Sequence, residues 1–122
     1  MRKFIIFIIL QLPLIYINAQ PTWRQKKDFM EGRYGGIGFS INNKGYAGLG
    51  WNPNEKKDIW EYDTTSDQWT YLTDYPGKGS ADVTSFVIGN IAYIGLSSMD
   101  INKEFYKYDP STNQWVKLKN FV

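Results

Sequence analysis

A chain of 122 residues has room for one small domain, and its 14 basic and 12 acidic residues include no cysteine or histidine to build chemistry from. No disulfide can support the fold, and neither a Ser–His–Asp nor a Cys–His catalytic set can be assembled within this chain. Aromatic residues at 17% and 11 glycines suit β-structure with many tight turns.

Residues 1–19 read as a secretory signal peptide. Arg2 and Lys3 precede the apolar run "FIIFIILQLPLIYI", and the small-residue exit "NAQ" places cleavage after Ala19. A membrane anchor is the competing reading. The run falls short of the roughly 20 apolar residues a spanning helix needs, and Gln11 and Pro13 interrupt it. The expectation is therefore a secreted protein, periplasmic or extracellular, with no stable membrane span once the leader is gone. Without Arg2 and Lys3 the chain carries 12 basic and 12 acidic residues. It shows no basic stripe of the kind nucleic acid requires.

Next comes "WRQKKDF" at 23–29, expected as an orphan strand within 20–32. Segments with strand character follow at 33–41, 44–50, 57–63 and 68–75, then at 81–88, 91–97, 104–109 and 114–121. The residues between them make turns. "NNKG" and "GN" tolerate positive φ in a tight hairpin, and "DPSTN" at 109–113 puts Asp and Pro where a type I turn favours them. No segment shows a helical period.

The segments repeat. "KDIWEYDTTSDQWTYL" at 57–72 and "KEFYKYDPSTNQWVKL" at 103–118 share six identities at an offset of 46 residues. "FSINNKGYAGLG" at 39–50 matches "FVIGNIAYIGLS" at 86–97 at an offset of 47. The orphan "WRQKKDF" matches "WTYLTDY" and "WVKLKNF", so half a repeat precedes two whole ones. A period of 46–47 lies between the values of about 40–45 and about 50 typical of propeller blades. Four strands joined by hairpins make one antiparallel blade. Within "IWEYD", Trp60 and Tyr62 point one way and Ile59 and Glu61 the other.

The glycine-bearing "GYAGLG" and "AYIGLS", the pair "WEYD" and "YKYD", and the spaced Trp69 and Trp115 resemble the kelch repeat of β-propellers. The likeness covers nearly all of 21–122. It departs at the usual double glycine, replaced by Gly48–Leu49–Gly50 and Gly95–Leu96–Ser97. The resemblance implies an all-β chain of two kelch-type blades, 33–77 and 78–122, in an incomplete propeller. The orphan strand expects partners that the chain does not supply. A fragment of a longer propeller is the favoured explanation, and copies assembling a ring the competing one. Some propellers of this shape are copper-radical oxidases needing His and a Cys-linked Tyr, neither present here, so a galactose oxidase-like fold would carry no such activity.

No catalytic residue, metal site or cofactor is expected. Asp63 and Asp109 begin turns, where Asp accepts backbone N–H groups. Asp100, Asn102 and Glu104 alternate as calcium ligands can, but lack the central glycine and remaining ligands of a calcium loop, so a solvated hairpin loop is the expectation. The glycines of "GGIGFSI" at 35–41 suit close packing near a propeller axis. Two residues stand as binding candidates. Arg33 precedes the strand nearest the channel, with a solvent-exposed loop arginine as the plainer reading, and Trp51 is expected in a loop. The expected function is an exported, non-catalytic module binding a protein or glycan, with further blades or self-association covering open blade faces. The alternative is part of a carbohydrate-active enzyme whose catalytic residues lie in missing blades. Tryptophans 60 and 69 between blades favour a scaffold, whereas aromatics at a channel mouth favour sugar.

Overall fold

The computed structural model describes residues 22–78, 80–98, 100 and 103–120. The strands are β1 (Ile37–Ile41), β2 (Lys44–Gly48), β3 (Asp58–Asp63), β4 (Gln68–Asp74), β5 (Thr84–Ile88), β6 (Ile91–Gly95), β7 (Phe105–Asp109) and β8 (Gln114–Lys117). They form two antiparallel four-stranded sheets, β1-β2-β3-β4 and β5-β6-β7-β8. The expected blades are present, and the two make an incomplete propeller.

Turn chemistry fixes the register. Asn42 and Asn43 adopt φ 50° and 63° between the paired Ile41 and Lys44, the left-handed values a two-residue hairpin needs. Gly89, at φ 58°, begins the corresponding turn between Ile88 and Ile91. After β3, the Asp63 carboxylate accepts the N–H groups of Thr65 (2.7 Å) and Ser66 (3.1 Å). After β7, Asp109 accepts the Ser111 N–H (2.9 Å) and hydroxyl (2.6 Å). The turn role expected for both aspartates is what the geometry displays. Each turn ends on a left-handed residue, Asp67 or Asn113. A tyrosine hydroxyl from the preceding strand donates to it, Tyr62 to Asp67 and Tyr108 to Asn113 (2.8 Å).

The altered glycine pair has a physical basis. A Cβ on Gly48 would sit 1.9 Å from the Asp58 carbonyl oxygen, and one on Gly95 2.3 Å from that of Glu104. Those positions demand glycine. The next residues, Leu49 and Leu96, take φ 56° and 61° and donate their N–H to the same carbonyls, at 3.0 and 3.1 Å. A leucine in the left-handed region costs about 1–2 kcal/mol. Complete burial of Leu49 offsets it with about 1.5–3 kcal/mol.

Strand alternation gives each sheet two faces. The forward face of the first sheet carries Ile37, Phe39, Ile41, Tyr46 and Ile59, and its rear face Trp60, Tyr62 and Trp69. The rear face of the second sheet, with Ala92, Ile94, Tyr106 and Tyr108, joins that forward face in one continuous core. First strands β1 and β5 are neighbours.

The orphan strand is corrected. Residues 22–33 join no ladder, because the first sheet already has its own fourth strand, β4. They run instead as an arm over the rear face of the first sheet. The Lys27 N–H donates to Asp67 (2.9 Å), and Trp69 Nε1 donates to the Lys27 carbonyl (3.1 Å). The Phe29 ring meets Trp69 and Trp60 edge-on, at 4.9 and 6.4 Å. Tyr75, one repeat later, does the same on the second sheet, edge-on to Tyr106 (5.4 Å) and Trp115 (5.5 Å). The leader lies outside the described residues.

Candidate binding surface

The loop between β2 and β3 is built by close backbone approaches. Tyr34 and Trp51 exchange N–H···O bonds of 3.3 and 3.0 Å in an isolated antiparallel bridge. β1 starts at Ile37 and not at the expected 33, because left-handed backbone at Gly35 (φ 63°) interrupts the ladder between this bridge and the strand. Lys56 N–H closes the loop on the Gly50 carbonyl (2.8 Å), and the Asn52 side-chain amide donates to the Gly32 carbonyl. Glycine at 50, with φ 96°, lets the chain pass; a Cβ there would lie 2.5 Å from the Tyr34 oxygen. The result is an open groove of about 430 Å³ lined by Gly32, Arg33, Tyr34, Trp51, Asn52 and Pro53. Tyr34 is 64% exposed and Trp51 half-buried.

Both sequence candidates line this groove, in different conditions. The Arg33 side chain is only 7% exposed, which corrects the reading as a solvated loop arginine. Its guanidinium grips Asp58 through both terminal nitrogens (2.5 and 3.1 Å) and the Leu49 carbonyl (3.2 Å). It also lies 4.7 Å from the Phe29 ring centroid. Burial pushes the Asp58 carboxyl up, but hydrogen bonds from Arg33 and Trp60 Nε1 (2.6 Å) outweigh it, leaving the carboxyl below its ordinary value. Arg33 therefore fastens arm, loop and β3 together, while Trp51 and Tyr34 offer ring surface. Tyr34 escaped sequence reasoning, since its exposure arises from a bridge between residues 17 apart.

The second sheet repeats the carboxylate and changes its partners. Glu104, one repeat after Asp58, accepts from Lys117 Nζ (2.6 Å), the Lys78 N–H (2.9 Å) and the Tyr106 hydroxyl (3.4 Å). Lys117 dominates in holding its carboxyl below the ordinary value. Glu104 is buried, which corrects its placement in a solvated loop; Asn102 of the same "DINKE" stretch lies outside the described residues. Ser80, at the position matching Arg33, is also buried, with its carbonyl accepting the Gly50 N–H (2.6 Å).

At the opposite end of the blades, a cleft of about 480 Å³ runs between the two sheets. Lys44, Tyr46, Glu61 and Asp109 line it. Glu61 there accepts from Lys44 Nζ (2.5 Å) and the Tyr46 hydroxyl (2.9 Å). Hydrogen bonding and charge from Glu61 raise the Lys44 ammonium above its usual value. Among the described residues, no three acidic side chains gather as a metal site would require.

No protein-family model matches the sequence. Curated proteins do. The chain is 32% identical over 82 residues to Kelch-like protein 25 of Xenopus tropicalis, covering 59% of this chain and 14% of that protein. It is 28% identical over 95 residues to the N-acetylneuraminate epimerase of Vibrio vulnificus, covering 69% and 24%. It is 35% identical over 92 residues to the N-acetylneuraminate epimerase of Escherichia coli O9:H4, covering 68% and 24%. The chain thus spans about a quarter or less of the length of these relatives. With the same glycine, tyrosine and tryptophan positions building each of two four-stranded sheets, the chain belongs to a divergent kelch-type family of β-propeller repeat proteins.

Proposed function

We propose that this chain is an exported, non-catalytic kelch-type module that binds a protein or glycan through the groove between Tyr34 and Trp51. The observation that carries the reading is the backbone bridge between those residues, which holds two aromatic side chains at the end of a rigid sheet. Pre-set rings lose little entropy on binding, and aromatic side chains dominate interface energetics. The anchored Arg33 gives the groove a fixed floor. Half-buried Trp60 and Trp69, packed on Phe29, support a scaffold role for the remaining tryptophans. The leader pattern supports export, and the kelch-like relative supports interaction as the general activity.

Trp51→Ala should leave thermal unfolding within about 1 kcal/mol and weaken partner binding about 30-fold, as truncating a central aromatic contact does. An immobilised glycan array probed with parent and variant tests the glycan arm. Binding retained by the variant refutes the groove, and an array without signal refutes a glycan ligand.

A second reading has its own support in the repeated matches to N-acetylneuraminate epimerases. Here the two blades belong to a carbohydrate-active propeller whose catalytic residues lie on further blades. Turnover of N-acetylneuraminate by a longer chain containing these blades, followed by proton NMR, would favour it over the binding module.

A further inference from the structure

Resting on the groove between Tyr34 and Trp51 as the binding site, we propose that its ligand is a proline-rich segment of a partner protein, held as a polyproline II helix. The walls of the groove belong to two loops at one end of the first sheet, 32–34 before β1 and 51–53 after β2. They lie beyond the sheet faces on which neighbouring blades stack. The blade does not need the two rings. One repeat later the same positions hold Ala81 and Ser98, and the second sheet forms without them. The antiparallel bridge sets Tyr34 directly opposite Trp51, which puts both side chains on one side. Their rings make no contact with each other among the described residues, so room for a ligand ring is left between them.

Charge and hydrogen bonding narrow the ligand. The one ionic side chain lining the groove, Arg33, is 7% exposed and commits both terminal nitrogens to Asp58, Leu49 and Glu31. Donors remain. The Trp51 indole N–H and the Tyr34 hydroxyl have no partner among the described residues, and Arg33 Nε is sealed from water without an acceptor. Three backbone oxygens are already taken: Gly32 accepts from Asn52, and Tyr34 and Trp51 accept from each other. The complement is an uncharged ligand rich in acceptors and poor in donors. A proline-rich segment meets that description, because each proline keeps its carbonyl and lacks an N–H. A sugar hydroxyl brings a donor with every acceptor and matches less well. Aromatic-lined grooves take polyproline II segments in just this way. Such a helix turns once per three residues, rises about 9 Å per turn and leaves its carbonyls free. One proline ring enters between Tyr34 and Trp51 while flanking carbonyls meet the indole N–H and the phenol. The helix is formed before it binds, so little chain entropy is lost on docking.

Fluorescence anisotropy of a labelled proline decamer against the full chain tests this, with a glycine–serine decamer as control and far-UV circular dichroism as the check on folding. The parent should bind the proline peptide saturably with a Kd below about 1 mM, and at least about 10-fold tighter than the control. Trp51→Ala should lower the initial slope about 30-fold. Trp51→Phe and Tyr34→Phe each keep a ring and delete one donor, and should weaken binding about 5-fold with the β-spectrum unchanged. A parent that shows no saturable binding below about 1 mM overturns the proposal, as does equal affinity in the parent and both phenylalanine variants. If the proline peptide fails while a glycan binds the parent and is lost with Trp51→Ala, the ligand class falls and the groove stands. If neither ligand responds to Trp51→Ala, the groove falls as well.

Discussion

Replacing Arg33 by alanine tests whether this residue holds the fold or waits for a ligand. Removing one partner of a buried ion pair costs about 3–5 kcal/mol. The Arg33 side chain is 7% exposed and that of Asp58 22%, so water reaches the freed carboxylate and trims the loss to about 2–3 kcal/mol. For a domain of about 100 residues this lowers the melting temperature by about 10–20 °C. Thermal and urea unfolding followed by circular dichroism read it, and a double-mutant cycle with Asp58→Asn should return a coupling of about 1 kcal/mol or more. The pH dependence adds an independent check. Because the folded Asp58 carboxyl lies below its ordinary value, its contribution is complete above pH ~4 and is lost as pH falls through the folded value. The Arg33→Ala chain should therefore lose less stability than the parent across that acid window. A loss below about 0.5 kcal/mol, the level of an ordinary surface substitution, would refute the fastening role and return Arg33 to the binding groove.

Further outcomes follow from the repeat. Gly95→Ala, which drives a Cβ to 2.3 Å from the Glu104 carbonyl oxygen, should cost more than about 3 kcal/mol by urea unfolding. Gly89→Ala, with open space around it, should cost only the left-handed penalty of about 1 kcal/mol. Tyr108→Phe should cost about 1–2 kcal/mol near neutral pH, since it leaves Asn113 without its donor. Burial pushes the Tyr108 phenol up to about 12, so that contribution holds below the ordinary tyrosine value and fades as pH rises through the folded one. Urea midpoints of parent and variant should converge at alkaline pH. Tyr75→Ala should destabilise by about 3–5 kcal/mol, and Phe29→Ala, at the half-buried end of the same pattern, by about 1–2 kcal/mol, read by tryptophan fluorescence.

Strands and turns were legible because each is decided within a few residues. Asn42–Asn43 and Gly89–Asn90 carry their own φ requirement, and Trp60 and Ile59 show their opposite faces by alternation alone. The internal repeat did the rest, since two copies of one pattern agree on where strands end. What stayed hidden depends on neighbours distant in sequence. Nothing around Arg33 announces Asp58, which is 25 residues away. The loss of exposure follows from that pairing, not from any local motif. The arm was misread for a similar reason. "WRQKKDF" carries the pattern of a fourth strand, but a strand forms only where an edge is available to pair with it. The alignment of Phe29 with Tyr75 was the signal for its packing role, and its meaning required seeing what Tyr75 touches.

The spacing of the latches bears on how quickly such a chain can fold. Lys27 reaches Asp67 across 40 residues, Trp69 reaches Lys27 across 42, and Asn113 donates to the Leu72 carbonyl across 41. Each of these closures spans about one repeat and none spans two. Loop-closure entropy rises only with the logarithm of loop length, so each added unit meets the same entropic barrier as the one before it. Contact order relative to chain length then falls as units accumulate, and folding can spread from one sheet to the next. The arm, made first, must wait for β4 before it has anywhere to dock.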